Sequence, residues 1–235
     1  MDLTLDGARR NYQSILDISG LKPEPITLLT SIQLSSEQLS IAKHLEVIFN
    51  KNNSDKASVH NYHLLYSLFI NREKSRFDIL EIGIGTTNLK IPSNMGRHGR
   101  AGASLKSWRD LGKQFFIVGA DIDHEILFES ENLRCFHLDQ TDEASWNSFL
   151  AKVEKMKFDL IIDDGLHAPL SNLLTVKHLS SLLKPNGVLL VEDINEKSLP
   201  VWQLMMAVSD HRFNFNLIKT KSAYVMVIKN KKTEG

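Results

Sequence analysis

The sequence predicts an α/β protein: a doubly wound, mostly parallel seven-stranded sheet with an antiparallel C-terminal hairpin and an N-terminal helical cap. Two observations predict it. Between residues 77 and 194, short and near-continuously apolar segments alternate with helical ones, as buried parallel strands do. Near the C-terminus, "FNFNLIKT" and "AYVMVIKN" are joined by only a few residues around Lys221. That link is too short for a parallel crossover, so the two segments must pair antiparallel at a sheet edge.

The elements follow in order. A short helix is expected around Ala8 to Leu16. A second should open at Ser35, where Gln38 completes a capping box and Ile41, Ala42, Leu45, Ile48 and Phe49 mark one face. The polar run "NKNNSDKAS" (50–58) breaks it. A further helix should turn Val59, Tyr62, Leu65, Tyr66 and Phe69 inward. Strands are then expected at "FDILEIG" (77–83), "FFIVGADI" (115–122), "LRCFHLD" (133–139), "FDLIID" (158–163) and "GVLLVEDI" (187–194). Helices fill 103–112, 143–155, 170–183 and 199–209, and "KPNG" turns the chain into the fifth strand. Residues 1–75 thus read as a helical cap, 76–230 as the sheet domain and 231–235 as a disordered tail.

Composition narrows the function classes. Lysine plus arginine and aspartate plus glutamate each number 28, which argues against an electrostatic grip on nucleic acid or anionic membrane. The single cysteine, Cys135, excludes an internal disulfide and a cysteine-cluster zinc site. The opening "MDLTLDGARR" lacks the order of a signal peptide, and no apolar run reaches transmembrane length, so a cytoplasmic protein is expected. Oligomeric state is open, because the apolar faces of the cap can bury within the monomer or against a second copy.

Ligands of such sheets sit outside the carboxyl ends of the strands. Here the strands end in acid: Glu81, Asp121, Asp139, Asp163 with Asp164, and Glu192 with Asp193. Behind the first strand, "LEIGIGTTN" carries Gly83 and Gly85, but Asn88 stands where a dinucleotide loop has its third glycine. A polar insertion (89–103) then delays the next helix to Ser104, so no helix N-terminus stands ready for pyrophosphate. Alone, E-x-G-x-G is equally a tight turn. With the acids it suits a ligand bearing an amino acid and a ribose. Glu81 can order the loop, Asp121 can accept from ribose hydroxyls, and Asp139 with Gln140 can read an adenine amino group. Together these describe an S-adenosylmethionine site, completed by Ser104 and Ile122. The insertion, with Arg97, His98 and Arg100, is either a lid or a flexible loop.

From about Phe77 to Asn230, the stretches "EIGIG", "GASLKSW", "GADID", "DQTD", "IIDDGLH" and "VEDI" occur in an order that resembles class I S-adenosylmethionine-dependent methyltransferases. More narrowly, the chain resembles the metal-dependent O-methyltransferases of the mycinamicin and macrocin type, which modify sugars on macrolides. The N-terminal 70 residues carry no part of this resemblance.

The clustered carboxylates must bind protons or a cation, and oxygen-only ligands suit magnesium. The resemblance implies that Asp164, Glu192 and Asp193 hold this metal, that Asp163 faces the cofactor, and that His167 is the general base. The activity expected is methylation of a hydroxyl on a sugar or glycosylated small molecule, in natural-product or glycan biosynthesis, with catalysis by His167 and Asp164. Two alternatives stand beside it. One is a methyltransferase for an N-nucleophile or a phosphate-type oxygen, with no base. The other is a non-catalytic S-adenosylmethionine-binding partner protein.

Overall fold

The structure, a computed structural model, describes residues 11–12, 14–15, 18–20, 25–97, 99–209 and 213–230. The expected helix around Ala8 to Leu16 lies largely outside these residues, and the expected tail at 231–235 and His98 lie wholly outside them. The strands are β1 (Thr27–Leu28), β2 (Phe77–Ile82), β3 (Phe115–Asp121), β4 (Glu129–Ser130), β5 (Leu133–His137), β6 (Phe158–Asp163), β7 (Leu183–Ile194), β8 (Phe213–Lys219) and β9 (Tyr224–Asn230). The helices are α1 (Ser36–Lys51), α2 (Asp55–Ser58), α3 (Tyr62–Tyr66), α4 (Ala103–Asp110), α5 (Glu143–Val153), α6 (Pro169–Leu179) and α7 (Leu199–Val208).

The strands form one sheet in the order β1-β8-β9-β7-β6-β2-β3-β5-β4. From β7 to β5 all neighbours are parallel, while β9 runs antiparallel to both β7 and β8. The chain winds from β2 outward through β3 to β5, then returns to place β6 on the other side of β2. This reversal opens the crevice at the carboxyl ends of β2 and β6, where ligands bind in such sheets. All seven expected strands are present. The two extra strands, β1 and β4, are two residues each, too short to leave a periodic signature.

Side-chain alternation divides the core. On one face Ile79, Ile117, Leu160, Ile162 and Leu190 pack under α1, α3 and α4, through Leu45, Phe49, Tyr66 and Trp108. On the other face Leu80, Ile82, Val118, Ile161 and Leu189 pack against α5, α6 and α7, through Trp146, Phe149, Leu179 and Trp202. The N-terminal helices are therefore one layer of the α/β/α sandwich and share its core. The Ser35–Gln38 capping box opens α1 as expected. Of the helix expected across Val59 to Phe69, only α3 forms, because Asn61 adopts φ 54 and starts it late; α2 lies earlier, inside the polar run expected to be a break. Val59 is consequently exposed, while Tyr62, Leu65 and Tyr66 point inward.

Candidate active site

The loop after β2 carries the two glycines in left-handed conformations, φ +80 at Gly83 and +85 at Gly85. A Cβ on Gly83 would lie 2.1 Å from the carbonyl oxygen of Asp164, so only glycine lets this loop meet the end of β6. At Gly85 the obstacle is softer, the Met95 sulfur at 2.2 Å. Asp121 shapes the same loop: Oδ2 accepts the Ile84 N–H at 2.8 Å and Oδ1 the Asp123 N–H at 2.9 Å. The insertion folds back over it. Met95 N–H donates to the Thr86 carbonyl at 2.8 Å, and Gly102 N–H to that of Ile84 at 2.7 Å.

An open cleft of ≈ 240 Å³ results, lined by Gly83, Gly85, Ser104, Asp164, His167 and Asp193. Ser93, Asn94, Met95 and Arg100 from the insertion also line it. Beside it lies an apolar slot of ≈ 130 Å³ between Ile122, Leu138, Leu166 and Asp139, which follows β5. Ile122 is 38% exposed there, a large apolar side chain held open to the slot. The shape and lining suit a flat ring in the slot and a charged, flexible portion over the glycines.

Three residues expected at the cofactor make hydrogen bonds within the protein. Glu81 is fully buried, accepting from the Ser104 hydroxyl and, at 2.6 Å, from Trp108 Nε1. Asp163 is also fully buried and accepts from Gln140 at 2.9 Å and Asn172 at 3.0 Å. Gln140 donates to Asp163 and Thr175 and accepts the Leu166 N–H, which occupies its amide. Glu81 and Asp163 line neither cavity, whereas Gln140 lines the apolar slot. Burial raises the carboxyls of both Glu81 and Asp163 above the ordinary range, against the pull of their donors.

The acid cluster is built jointly with the N-terminal helices. Pairing of Asp163 with Ile82 on one side and Val191 on the other brings the ends of β6 and β7 together. One ligand atom each from Asp164, His167 and Asp193 lies within 4.8 Å of the others. His167 Nε2 stands 3.8 Å from Asp164 Oδ1 and 4.0 Å from Asp193 Oδ2. Both His167 (φ 56) and Asp193 (φ 53) are left-handed, an uncommon state for residues with side chains and one concentrated at functional sites. The carboxylate oxygens and imidazole nitrogen suit a divalent cation in donor chemistry, with room for water or substrate oxygen.

Glu192 stands apart from that trio. It is fully buried, with Oε2 accepting from Lys56 Nζ at 2.7 Å and Oε1 accepting from the Tyr66 hydroxyl. Lys56 also donates to Asp164 Oδ2 at 2.7 Å and lies 3.8 Å from Glu81 Oε1. Burial alone would strip the proton from this ammonium. The carboxylates of Asp164, Glu192 and Glu81 outweigh it and hold Lys56 well above the ordinary lysine value. Tyr62 donates to Asp193 Oδ1 at 2.6 Å. His60, stacked on the Tyr62 ring, approaches the same oxygen to 3.4 Å and shares a 2.7 Å hydrogen bond with Ser222. Its hydrogen bond to Asp55 and the nearby Asp193 raise the His60 imidazole against burial.

Lys56, His60, Tyr62 and Tyr66 are not site residues by sequence reasoning. Lys56 falls in the polar run that reads as a helix break, and His60 reads as a surface or interface residue. A signal does exist in the tyrosines. Tyr62 and Tyr66 are four apart on an inward face, and buried hydroxyls need partners.

No family model matches the sequence. The chain is 25% identical over 154 residues to 8-demethyl-8-alpha-L-rhamnosyl tetracenomycin-C 2'-O-methyltransferase of Streptomyces olivaceus, spanning 65% of this chain and 38% of that protein. MycE, a methyltransferase from the mycinamycin biosynthetic pathway solved in complex with Mg, SAH and mycinamycin VI, matches with a TM-score of 0.63 at 19% identity. The fold is that of a class I methyltransferase. The match covers 82% of this chain and 56% of MycE. A second crystal form of MycE, with Mg and SAH, matches with a TM-score of 0.60 at 20% identity over 82% of this chain and 55% of that one. The chain therefore spans under two-thirds of the length of either relative. Among the described residues, no helix of this methyltransferase fold is long and apolar enough to cross a membrane.

Proposed function

We propose that the protein is an S-adenosylmethionine-dependent O-methyltransferase acting on a hydroxyl of a sugar or glycosylated small molecule, assisted by a divalent cation, magnesium by its ligand chemistry. The observation that carries this reading is the convergence of Asp164, His167 and Asp193 in a cleft that Gly83 and Gly85 also line. The likeness to the tetracenomycin rhamnose methyltransferase and to MycE supports the sugar-like acceptor.

When bound, S-adenosylmethionine supplies an electrophilic methyl group and the cation offsets negative charge on the acceptor oxygen. The chain's own residues do the rest. Gly83 and Gly85 let backbone approach the donor closely, and Ile122, Leu138 and Leu166 offer apolar surface to its ring. Asp164 and Asp193 would hold the cation. His167 takes the proton of the acceptor hydroxyl at Nε2. Its Nδ1 is buried without a hydrogen-bond partner, so Nε2 is the ring's working face. The insertion, through Met95 and Arg100, limits water over the cleft. Positioning the oxygen in line with the methyl group lowers much of the barrier.

Incubation with radiolabelled S-adenosylmethionine, magnesium and a panel of rhamnosylated and other glycosylated polyketides tests the reading. Label should enter an alkali-stable ether, and EDTA should stop its transfer. Transfer that proceeds unchanged in EDTA removes the cation, and label in an amine or phosphate ester removes the hydroxyl acceptor.

A further inference from the structure

A cluster of acids expected to hold one metal through three carboxylates already contains a cation of its own. Lys56 reaches it from α2, and its ammonium is bonded to Asp164 Oδ2 and Glu192 Oε2, each at 2.7 Å. Its side chain is 4% exposed and that of Glu192 is fully buried. The second oxygen of Glu192 accepts from the Tyr66 hydroxyl, itself buried. Both oxygens are thus engaged, and Glu192 does not line the cleft.

Strand parity explains the arrangement. Glu192 shares the face of Leu190 and Glu81 that of Ile79, the face covered by the N-terminal helices. Asp164 follows β6 on loop backbone, and Asp193 leaves the alternation within β7, where its φ of 53 falls in a register shift between Val191 and Ile194; both line the cleft. An ammonium and a divalent ion on the same carboxylate pair repel each other, and a buried carboxylate cannot move to water to escape the conflict.

We propose that Lys56 is a built-in counter-ion that withdraws Glu192 and one oxygen of Asp164 from the cation's ligand set, leaving a smaller site of Asp164 Oδ1 and Asp193, with His167 beside it free to act as the base. Lys56 is a positioning residue in this scheme. It keeps Asp164 oriented, limits the charge offered to the divalent ion and so sets a weak, exchangeable site. The proposal rests on the function proposed above only for the purpose of the cation, and its test reads cation binding without methyl transfer.

Manganese binding followed by electron paramagnetic resonance decides it. In the otherwise unaltered chain, Glu192→Gln should leave manganese affinity within about threefold, whereas Asp193→Asn should weaken it about tenfold or more. Lys56→Met should strengthen binding about tenfold by freeing Glu192, and adding Glu192→Gln should abolish the gain. A tenfold or greater weakening by Glu192→Gln alone would overturn the proposal, as would unchanged or weaker binding by Lys56→Met. Should the variants not fold, nuclear magnetic resonance of labelled lysine side chains in the intact protein tests the same point. The protected Lys56 ammonium signal should persist at saturating magnesium, and its loss into the exposed lysine signals overturns the scheme. Absence of methyl transfer to any tested acceptor would sink the proposed function and leave these binding results standing.

Discussion

The Tyr62 hydroxyl donates to Asp193 Oδ1 across 2.6 Å, joining residues 131 positions apart. One belongs to α3 of the N-terminal region and the other lies near the end of β7, so the proposed cation site depends on two distant parts of the chain. Tyr62→Phe removes one donor from a carboxylate that is 26% exposed and can recruit water in its place. Stability should fall by only about 1 kcal/mol in urea denaturation. Turnover should fall about tenfold, because support lost from behind a metal ligand is felt at the metal. A stability loss with turnover intact would assign Tyr62 to packing alone.

His167→Ala tests the base. Turnover with a hydroxyl acceptor should drop about 10²- to 10⁴-fold, while calorimetric affinity for S-adenosylmethionine stays within about twofold. Comparable losses in both would mean that the ring holds the cleft together without moving a proton.

The two glycines should differ in their tolerance. At Gly83 an added methyl meets the Asp164 backbone oxygen, at Gly85 the flexible end of Met95. Both sites also carry the strain of positive φ. Gly83→Ala should therefore abolish cofactor binding and lower the melting temperature, and Gly85→Ala should weaken binding more mildly. Equal effects, seen by thermal shift with and without S-adenosylhomocysteine, would mean that strain rather than collision governs the loop.

At the opposite end of the sheet, Asp159 accepts from Lys184 at 2.7 Å, from Lys74 at 2.5 Å and from the Asp78 N–H at 2.8 Å. Burial pushes its carboxyl up, but these donors outweigh burial and hold it below the ordinary value. A depressed carboxyl stabilises the fold above its unfolded value, and that stability disappears as pH falls through the folded one, here below about pH 4. Asp159→Asn should cost about 1–3 kcal/mol at pH 7 and progressively less as pH falls below about 4. A cost that is the same at both pH values would exclude ionic pairing as its source.

The strands are legible in the sequence because each is a short apolar run closed by polar turns; β6 spans 158–163, as its sequence predicts. The approach of Asp164 to Asp193 is legible too, since it follows from adjacent strand ends. Sequence places Glu81, Asp163 and Glu192 at those ends without their facing. Parity turns Glu81 and Glu192 toward α2–α4 and Asp163 toward α6, away from the cleft. Counting from the apolar residues two positions before each would separate them. Lys56 leaves no comparable trace. A lysine among asparagines and serines looks solvated, and only the tertiary approach of α2 to β7 buries it. The break at Asn61 is hidden for a related reason, because asparagine tolerates left-handed backbone while sitting in an otherwise helical apolar pattern.

The shared core of the N-terminal helices has a practical consequence for engineering. Those helices look like an exchangeable module for acceptor choice, yet residues 56, 62 and 66 satisfy carboxylates at the tip of β7. A chimera that grafts another enzyme's leading segment onto residues 77–230 would strand Glu192 as a naked charge in a dry interior, and would fail as a protein before its selectivity could be assayed. Retargeting is better begun in the insertion, whose side chains border the cleft without serving as counter-ions to the sheet.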